Sequence, residues 1–177
     1  TVYAAANSPF PSQQSYCNAK GQLTNQVDPD GVMTLYQYNA KGGVEYTAVD
    51  LNTNGMIDLS GTDRITRTLT FLTNVNYVDM RRTETYVWTT DGQNTSLRVS
   101  TRDAATSGLQ SWNTVWKNGQ PVTSHTQAAF PGNGVRTVTA TAADGSFTVS
   151  SYLYGRLQSV IRNDAGQSPL TETSYAY

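Results

Sequence analysis

The sequence predicts an all-β protein of about a dozen antiparallel strands, in which β-hairpins repeat side by side to form a curved or coiled sheet. Three observations support this class. The 177 residues include 26 Thr, 14 Gly, 13 Asn and 11 Tyr but only three Glu and three Lys, a composition poor in strong helix formers. Side chains alternate with a period of two, and short motifs recur 21 to 23 residues apart.

The alternation is clear in the tyrosine-rich segment that follows Gly31. Met33 and Leu35 fall on one face of a predicted strand, opposite Thr34, Tyr36 and Tyr38. Successive side chains of a strand point to opposite faces of its sheet, so this spacing indicates a strand with one apolar face. A single hairpin cannot bury such a face alone, and we therefore expect several hairpins in one sheet.

The repeats lie in two separate parts of the chain. Each unit has a strand ending in Tyr, a turn with Asn or Gly, a second strand, and a turn with Asp and Gly, where Gly supplies a positive φ without steric cost. The matching positions are Asn18–Gly21 with Asn39–Gly42 and Gly145 with Gly166, both 21 apart, and Tyr152 and Tyr154 with Tyr175 and Tyr177, both 23 apart.

Charge and hydropathy exclude several functions. The net charge is −1 and the only adjacent basic residues are Arg81 and Arg82, so the sequence predicts no nucleic-acid partner. No apolar run approaches the ~18 residues of a membrane span. Residues 1–6 lack a basic segment and a long apolar core, and we expect no signal peptide within them. The Thr- and Asn-rich composition favours an extracellular or cell-surface location.

Several of these motifs resemble the YD repeat of RHS-type proteins, which are large bacterial secreted or surface proteins with relatives in toxin complexes and teneurins. The resemblance covers residues 16–50 and 144–177. The aspartate that names the repeat is replaced by Cys17, Asn39 and Gly155. The motifs that carry it are Gly21–Gly31, Tyr38–Gly42, Tyr154–Val160 and Asp164–Gly166.

The resemblance implies a structural role. RHS repeats coil into a β-sheet shell that often encloses a toxin, and some were proposed to bind carbohydrate. Asp28-Pro29-Asp30-Gly31 matches the letters of the family's self-cleaving boundary, but a proline-initiated β-turn is the favoured interpretation. We expect residues 1–177 to form a single domain, either a segment of a longer repeat array or a subunit that assembles with neighbouring repeats or copies through its edge strands.

The strongest local signal for chemistry is a candidate calcium loop between two predicted strands, residues 44–49 and 64–72. Oxygen-bearing side chains at positions one, three, five and nine, with Gly at six, match the first part of an EF-hand loop. Gly61 stands where the closing Glu is expected, and the nearby Asp63 is the predicted replacement. The alternative is a polar Asn-Gly turn without metal. The predicted ligands are Asp50, Asn52, Asn54, Met56 through its carbonyl, Asp58 and Asp63.

Exposed aromatic rings suggest carbohydrate binding as an alternative function. Trp88, Trp112 and Trp116 are the candidates, and the last two share a face if they lie on one strand. The competing interpretation is that these rings form cross-strand ladders within the sheet.

The sequence contains no recognisable catalytic motif, and we expect no enzyme activity. His125 is the only histidine, and no Gly-x-Ser-x-Gly nucleophile motif is present. Cys17 is the only cysteine, so it forms no disulfide within the chain and is predicted to be an inert thiol. The segments 103–108 and 130–134 are predicted to be loops rather than hinges between domains.

Overall fold

A computed structural model describes residues 12–75 and 77–177. Those residues form thirteen strands and no helix. The expectations for residues 1–6 lie outside the described residues. The strands are β1 (Gln14–Cys17), β2 (Leu23–Val27), β3 (Met33–Tyr38), β4 (Val44–Asp50), β5 (Arg64–Val75), β6 (Val78–Trp88), β7 (Ser96–Ala105), β8 (Gln110–Lys117), β9 (Gln120–Gly132), β10 (Val135–Thr141), β11 (Phe147–Leu153), β12 (Arg156–Asn163) and β13 (Pro169–Ser174).

Each strand is hydrogen-bonded to the next strand along the chain, in the order β1 to β13. The pairings with a described register are antiparallel, for example Tyr36 with Thr47 between β3 and β4. The all-β class and the antiparallel hairpin arrangement predicted from the sequence are therefore confirmed. Two predicted loops were partly wrong, because 103–105 belong to β7 and 130–132 belong to β9.

The chain divides into two compact units. The first comprises Thr1–Leu69 and Thr85–Arg98, and the second comprises Thr70–Glu84 and Val99–Tyr177. Strands β5, β6 and β7 contribute residues to both units. The single domain over 1–177 stays a prediction.

The core of the first unit is a row of cross-strand partners. Leu35 on β3 pairs with Ala48 on β4, and Ala48 pairs with Ile65 on β5. All three side chains are buried, and Leu35 lies on the face that the alternation predicted to be apolar. The partly buried apolar side chains that pack against this row are Met33, Tyr46, Ile57, Leu59 and Trp88.

The buried side chains of the second unit are both apolar and polar. Met80 on β6 and Ala105 on β7 are buried, and so are Glu84 and Thr101 on the same two strands. Glu84 thus places a carboxylate among buried side chains, where burial costs free energy unless the group is paired or hydrogen-bonded.

A recurring five-residue turn connects the two strands of several hairpins. Asn18, Asp28 and Asn39 each accept two backbone hydrogen bonds on a side-chain oxygen, from the N–H groups two and four residues later. The fourth residue has a positive φ, which Gly adopts at Gly21, Gly31 and Gly42. The Asp28 turn contains Pro29 at its second position, and Gly31 N–H donates to the Asp28 carbonyl, so the predicted proline-initiated turn is confirmed.

The corresponding turn near residue 164 shifts one of the predicted repeat positions. Asp164 accepts the Ser168 N–H on its side chain, and Gln167 occupies the fourth position with φ 68°. The predicted equivalence of Gly145 with Gly166 was therefore off by one residue, because Gln167 takes the positive-φ conformation that Gly145 has in the turn between β10 and β11. Comparison by residue type aligned Gly145 with the nearest glycine, Gly166. The hydrogen bonds of the turn instead identify Gln167 as the equivalent residue.

A second turn type has two residues. Asn118-Gly119, Asn133-Gly134 and Tyr154-Gly155 join β8 to β9, β9 to β10 and β11 to β12, and both residues of each pair have positive φ. This is the type I′ conformation, whose twist matches that of the flanking strands. These turns hold consecutive strands in antiparallel register.

The Asn39 turn supports a stability prediction. Asn39→Ala removes the acceptor of two backbone N–H groups, and we expect the free energy of unfolding to fall by about 1–2 kcal/mol in urea titrations. Asn39→Asp keeps an acceptor oxygen and is the matched control, with an expected change within ~0.5 kcal/mol. An alanine variant as stable as the wild type would show that these hydrogen bonds contribute nothing to the hairpin.

Candidate functional site

The predicted metal residues lie in the loop that joins β4 to β5. Val49 pairs with Arg64 directly above the loop, so Asp50 ends one strand and Asp63 immediately precedes the next. The side chains of both aspartates are buried, each at 3% exposure. The predicted flanking strands are confirmed, and the two buried aspartates lie at the two ends of the loop, where it joins its strands.

Asp63 closes the loop with both of its oxygens. Its Oδ1 accepts the Leu51 N–H at 3.1 Å and its Oδ2 accepts the Asp58 N–H at 3.0 Å. The two donors come from the first residue of the loop and from its second half, so one carboxylate holds both parts of the loop. Arg64, the next residue, pairs with Asp91 at 2.6 Å.

Asp50 directs its carboxylate into the loop. Oδ2 accepts the N–H of Gly55 at 2.8 Å, which joins position one of the predicted loop to its glycine at position six. Gly55 has φ 74°, the conformation that the sixth position requires. Oδ1 of Asp50 is buried and has no hydrogen-bond partner among the described residues. One oxygen of a buried carboxylate is thus left without a protein donor.

The remaining predicted ligands lie on the exposed side of the loop or in its second half. Asn52 and Asn54 each accept the N–H two residues later on their side-chain oxygens, which folds those oxygens back over the loop. Met56 has an exposed side chain, and Asp58 accepts the Ser60 N–H at 3.0 Å. Ile57 packs against the core of the first unit, as predicted for the residue that anchors the loop.

No group of three Asp, Glu, His or Cys side chains converges within residues 12–75 and 77–177. A cation in this loop would therefore need neutral oxygens in addition to carboxylates. Calcium accepts such mixed shells of carboxylate, amide and carbonyl oxygen. The chemistry of the loop matches that preference, and the assignment of the six residues to a metal stays a prediction.

The three tryptophans predicted as sugar-binding candidates are all partly buried. Trp88 packs against the core of the first unit, with its ring centroid 6.1 Å from that of Tyr46. Trp112 and Trp116 share a face of β8, as predicted, and Trp112 stacks on its cross-strand partner His125 at 4.3 Å. These contacts favour the ladder interpretation. Sugar binding stays a prediction.

A polar pair in the second unit was not predicted from the sequence. Arg82 on β6 donates from Nε and Nη2 to the two oxygens of Asp103 on β7, at 2.7 and 2.9 Å. The bond to Asp103 is the main cause of a raised pKa for Arg82. Asp103 was assigned to a loop, and only the strand register brings it opposite Trp112 and beside Arg82.

The two residues considered for catalysis lie on different strands, β9 and β1. His125 is on β9 against Trp112, and its Nε2 is buried without a hydrogen-bond partner among the described residues. Cys17 is exposed at the end of β1 and is a free thiol. Among the residues that the structure describes, no helix is long and apolar enough to cross a membrane.

The fold and its turns define a β-hairpin repeat protein. The RHS Repeat family model matches residues 18–48, which run from the Asn18 turn through β2 and β3 into β4. The chain therefore contains an RHS repeat, and the predicted resemblance to RHS/YD-repeat proteins is confirmed. A comparison with curated proteins found no match to the chain. RHS repeats are generally structural, and the proteins that contain them are usually extracellular or at the cell surface.

The half-buried Arg82–Asp103 pair supports a second stability prediction. Asp103→Asn removes the charge that the guanidinium contacts and one of its two acceptors, so we expect unfolding to become easier by about 1–3 kcal/mol. Asp91→Asn, at the exposed Arg64–Asp91 pair, is the control and should cost less than ~1 kcal/mol. Side-chain exposure is 14% for Asp103 and 53% for Asp91. Equal losses in chemical denaturation would contradict the role given to burial.

Proposed function

We propose that the chain is a non-enzymatic structural module of a secreted or cell-surface protein, which extends a β-scaffold by pairing its outer strands with strands of the same kind. These strands would come from neighbouring repeats or from second copies of the chain. The observation that carries the proposal is the strand order, in which every strand from β1 to β13 pairs with its sequence neighbour. Such a sheet grows by adding hairpins at its ends.

The edge strands support this function. All residues of β1 and of β13 are exposed. Large apolar side chains remain uncovered near β13, at Leu170, Tyr175 and Tyr177. An edge strand presents a row of unpaired N–H and C=O groups that a further strand can satisfy. Within the described residues, β13 has β12 as its neighbour and no strand on its other side.

The hydrogen bonds of β13 show which of its N–H groups are available to a further strand. Tyr175 N–H donates to the Gln158 carbonyl on β12, and the antiparallel register continues through Thr173 opposite Val160. Because donors alternate along a strand, the N–H groups of Thr171, Thr173 and Tyr175 face β12. The N–H groups of Glu172 and Ser174 therefore face outward.

This alternation gives the proposal a sharp test. Glu172→Pro removes an outward donor and keeps the donors that face β12, so we expect it to reduce concentration-dependent association of the chain at least ~10-fold. Glu172→Thr changes the same side chain, keeps the N–H and should associate as the wild type does. Sedimentation velocity over a range of protein concentrations measures the difference.

Amide hydrogen exchange gives an independent measure of the same edge. If a strand is added at β13, the outward amides of Glu172 and Ser174 become protected as the protein concentration rises. A wild-type chain that stays monomeric, with both amides exchanging freely at every concentration, would contradict pairing between copies. Failure to gain protection when the chain carries a further RHS hairpin after β13 would contradict the scaffold function itself.

A further inference from the structure

We propose that the loop between Asp50 and Asp63 binds one calcium ion, which is a ligand site additional to the scaffold function. Asp50 is 3% exposed, its Oδ2 is held by the Gly55 N–H inside the loop, and its Oδ1 is buried with no partner among the described residues. A buried carboxylate oxygen without a donor costs free energy that a cation would recover. This unpartnered oxygen points to a ligand independently of the sequence motif.

The cation class follows from the available donors. The loop offers carboxylate, amide and backbone carbonyl oxygens, and the described residues place no His or Cys cluster with them. Oxygen-only shells of varied geometry suit calcium, whereas zinc prefers nitrogen and sulfur, and magnesium demands a strict octahedron and retains water. The proposed ligands are Asp50 Oδ1, the side-chain oxygens of Asn52 and Asn54, the Met56 carbonyl, and Asp58 or Asp63.

The arrangement of Asp63 suits a closing role. Its two oxygens already accept the Leu51 N–H and the Asp58 N–H, which holds the start and the second half of the loop at one carboxylate. Each carboxylate oxygen has more than one acceptor site, so these hydrogen bonds leave room for a metal. Asp63 thus stands in for the missing acidic residue at the twelfth position, where the chain has Gly61.

Calcium in this loop would stabilise the first unit. Ile57 and Leu59 lie within the loop, and both pack against the core row of Leu35, Ala48 and Ile65. Any ion that orders the loop also restrains these two side chains against the core. Binding to the folded state alone raises the unfolding midpoint, because mass action favours the liganded form.

The test uses the full chain freed of metal by a chelator. Titration with calcium chloride in a calorimeter should show one ion per chain, with a dissociation constant on the order of 10⁻⁴ to 10⁻³ M, and about 10 mM calcium should raise the unfolding midpoint. Magnesium chloride at the same concentration should give a smaller shift.

Three variants assign the site. Asp50→Asn should weaken calcium binding at least ~10-fold and remove the shift in midpoint. Asn52→Ala should also weaken calcium binding. Because Asn52 is exposed and lies outside the core, this variant provides the test if Asp50→Asn does not fold. Asp28→Asn makes the same acid-to-amide change in a hairpin turn of the same unit and should keep the full calcium response.

Two results would overturn the calcium site. The first is no saturable binding up to about 10 mM calcium. The second is calcium binding by Asp50→Asn and Asn52→Ala as tight as that of the wild type. The scaffold proposal is tested at β13, away from this loop in sequence, and fails or stands separately.

Discussion

Backbone hydrogen bonding between consecutive strands is the constraint on which the rest of this structure depends. Only five apolar side chains are buried among the described residues, so hydrophobic packing is spread thinly over thirteen strands. The register between neighbouring strands is therefore set mainly by the turns that connect them. Two-residue type I′ turns and five-residue turns closed by Asn or Asp both return the chain antiparallel to itself and fix which residues face each other.

This constraint explains where polar chemistry sits. A hairpin places the last residue of one strand near the residue that immediately precedes the next strand, and for β4 and β5 those residues are Asp50 and Asp63. Both side chains are buried at the point where the loop joins its two strands, and not in a cleft between separate elements. In the second unit Arg82 and Asp103 lie within adjacent strands, and both oxygens of the carboxylate accept hydrogen bonds from the guanidinium.

Structural and ligand roles are compatible in such a fold. A sheet whose strands pair in sequence order needs no deep pocket, and it can carry a cation only where a loop is long enough to fold around one. The loop after β4 satisfies that condition, because twelve residues separate Asp50 from Asp63. Its apolar residues Ile57 and Leu59 connect the loop to the core, so ligand binding and stability are linked there.

The sequence by itself determined the class of fold, the hairpin repeat and the loop between β4 and β5. Period-two alternation around Leu35 and the glycines at Gly21, Gly31 and Gly42 are local signals, and local signals act through φ and side-chain direction. Tertiary structure alone decided that Asp103 belongs to a strand beside Arg82, that Gln167 rather than Gly166 takes the left-handed position, and that Asp50 keeps one oxygen unpartnered. These features depend on the register between strands and on burial, which no single segment of sequence specifies.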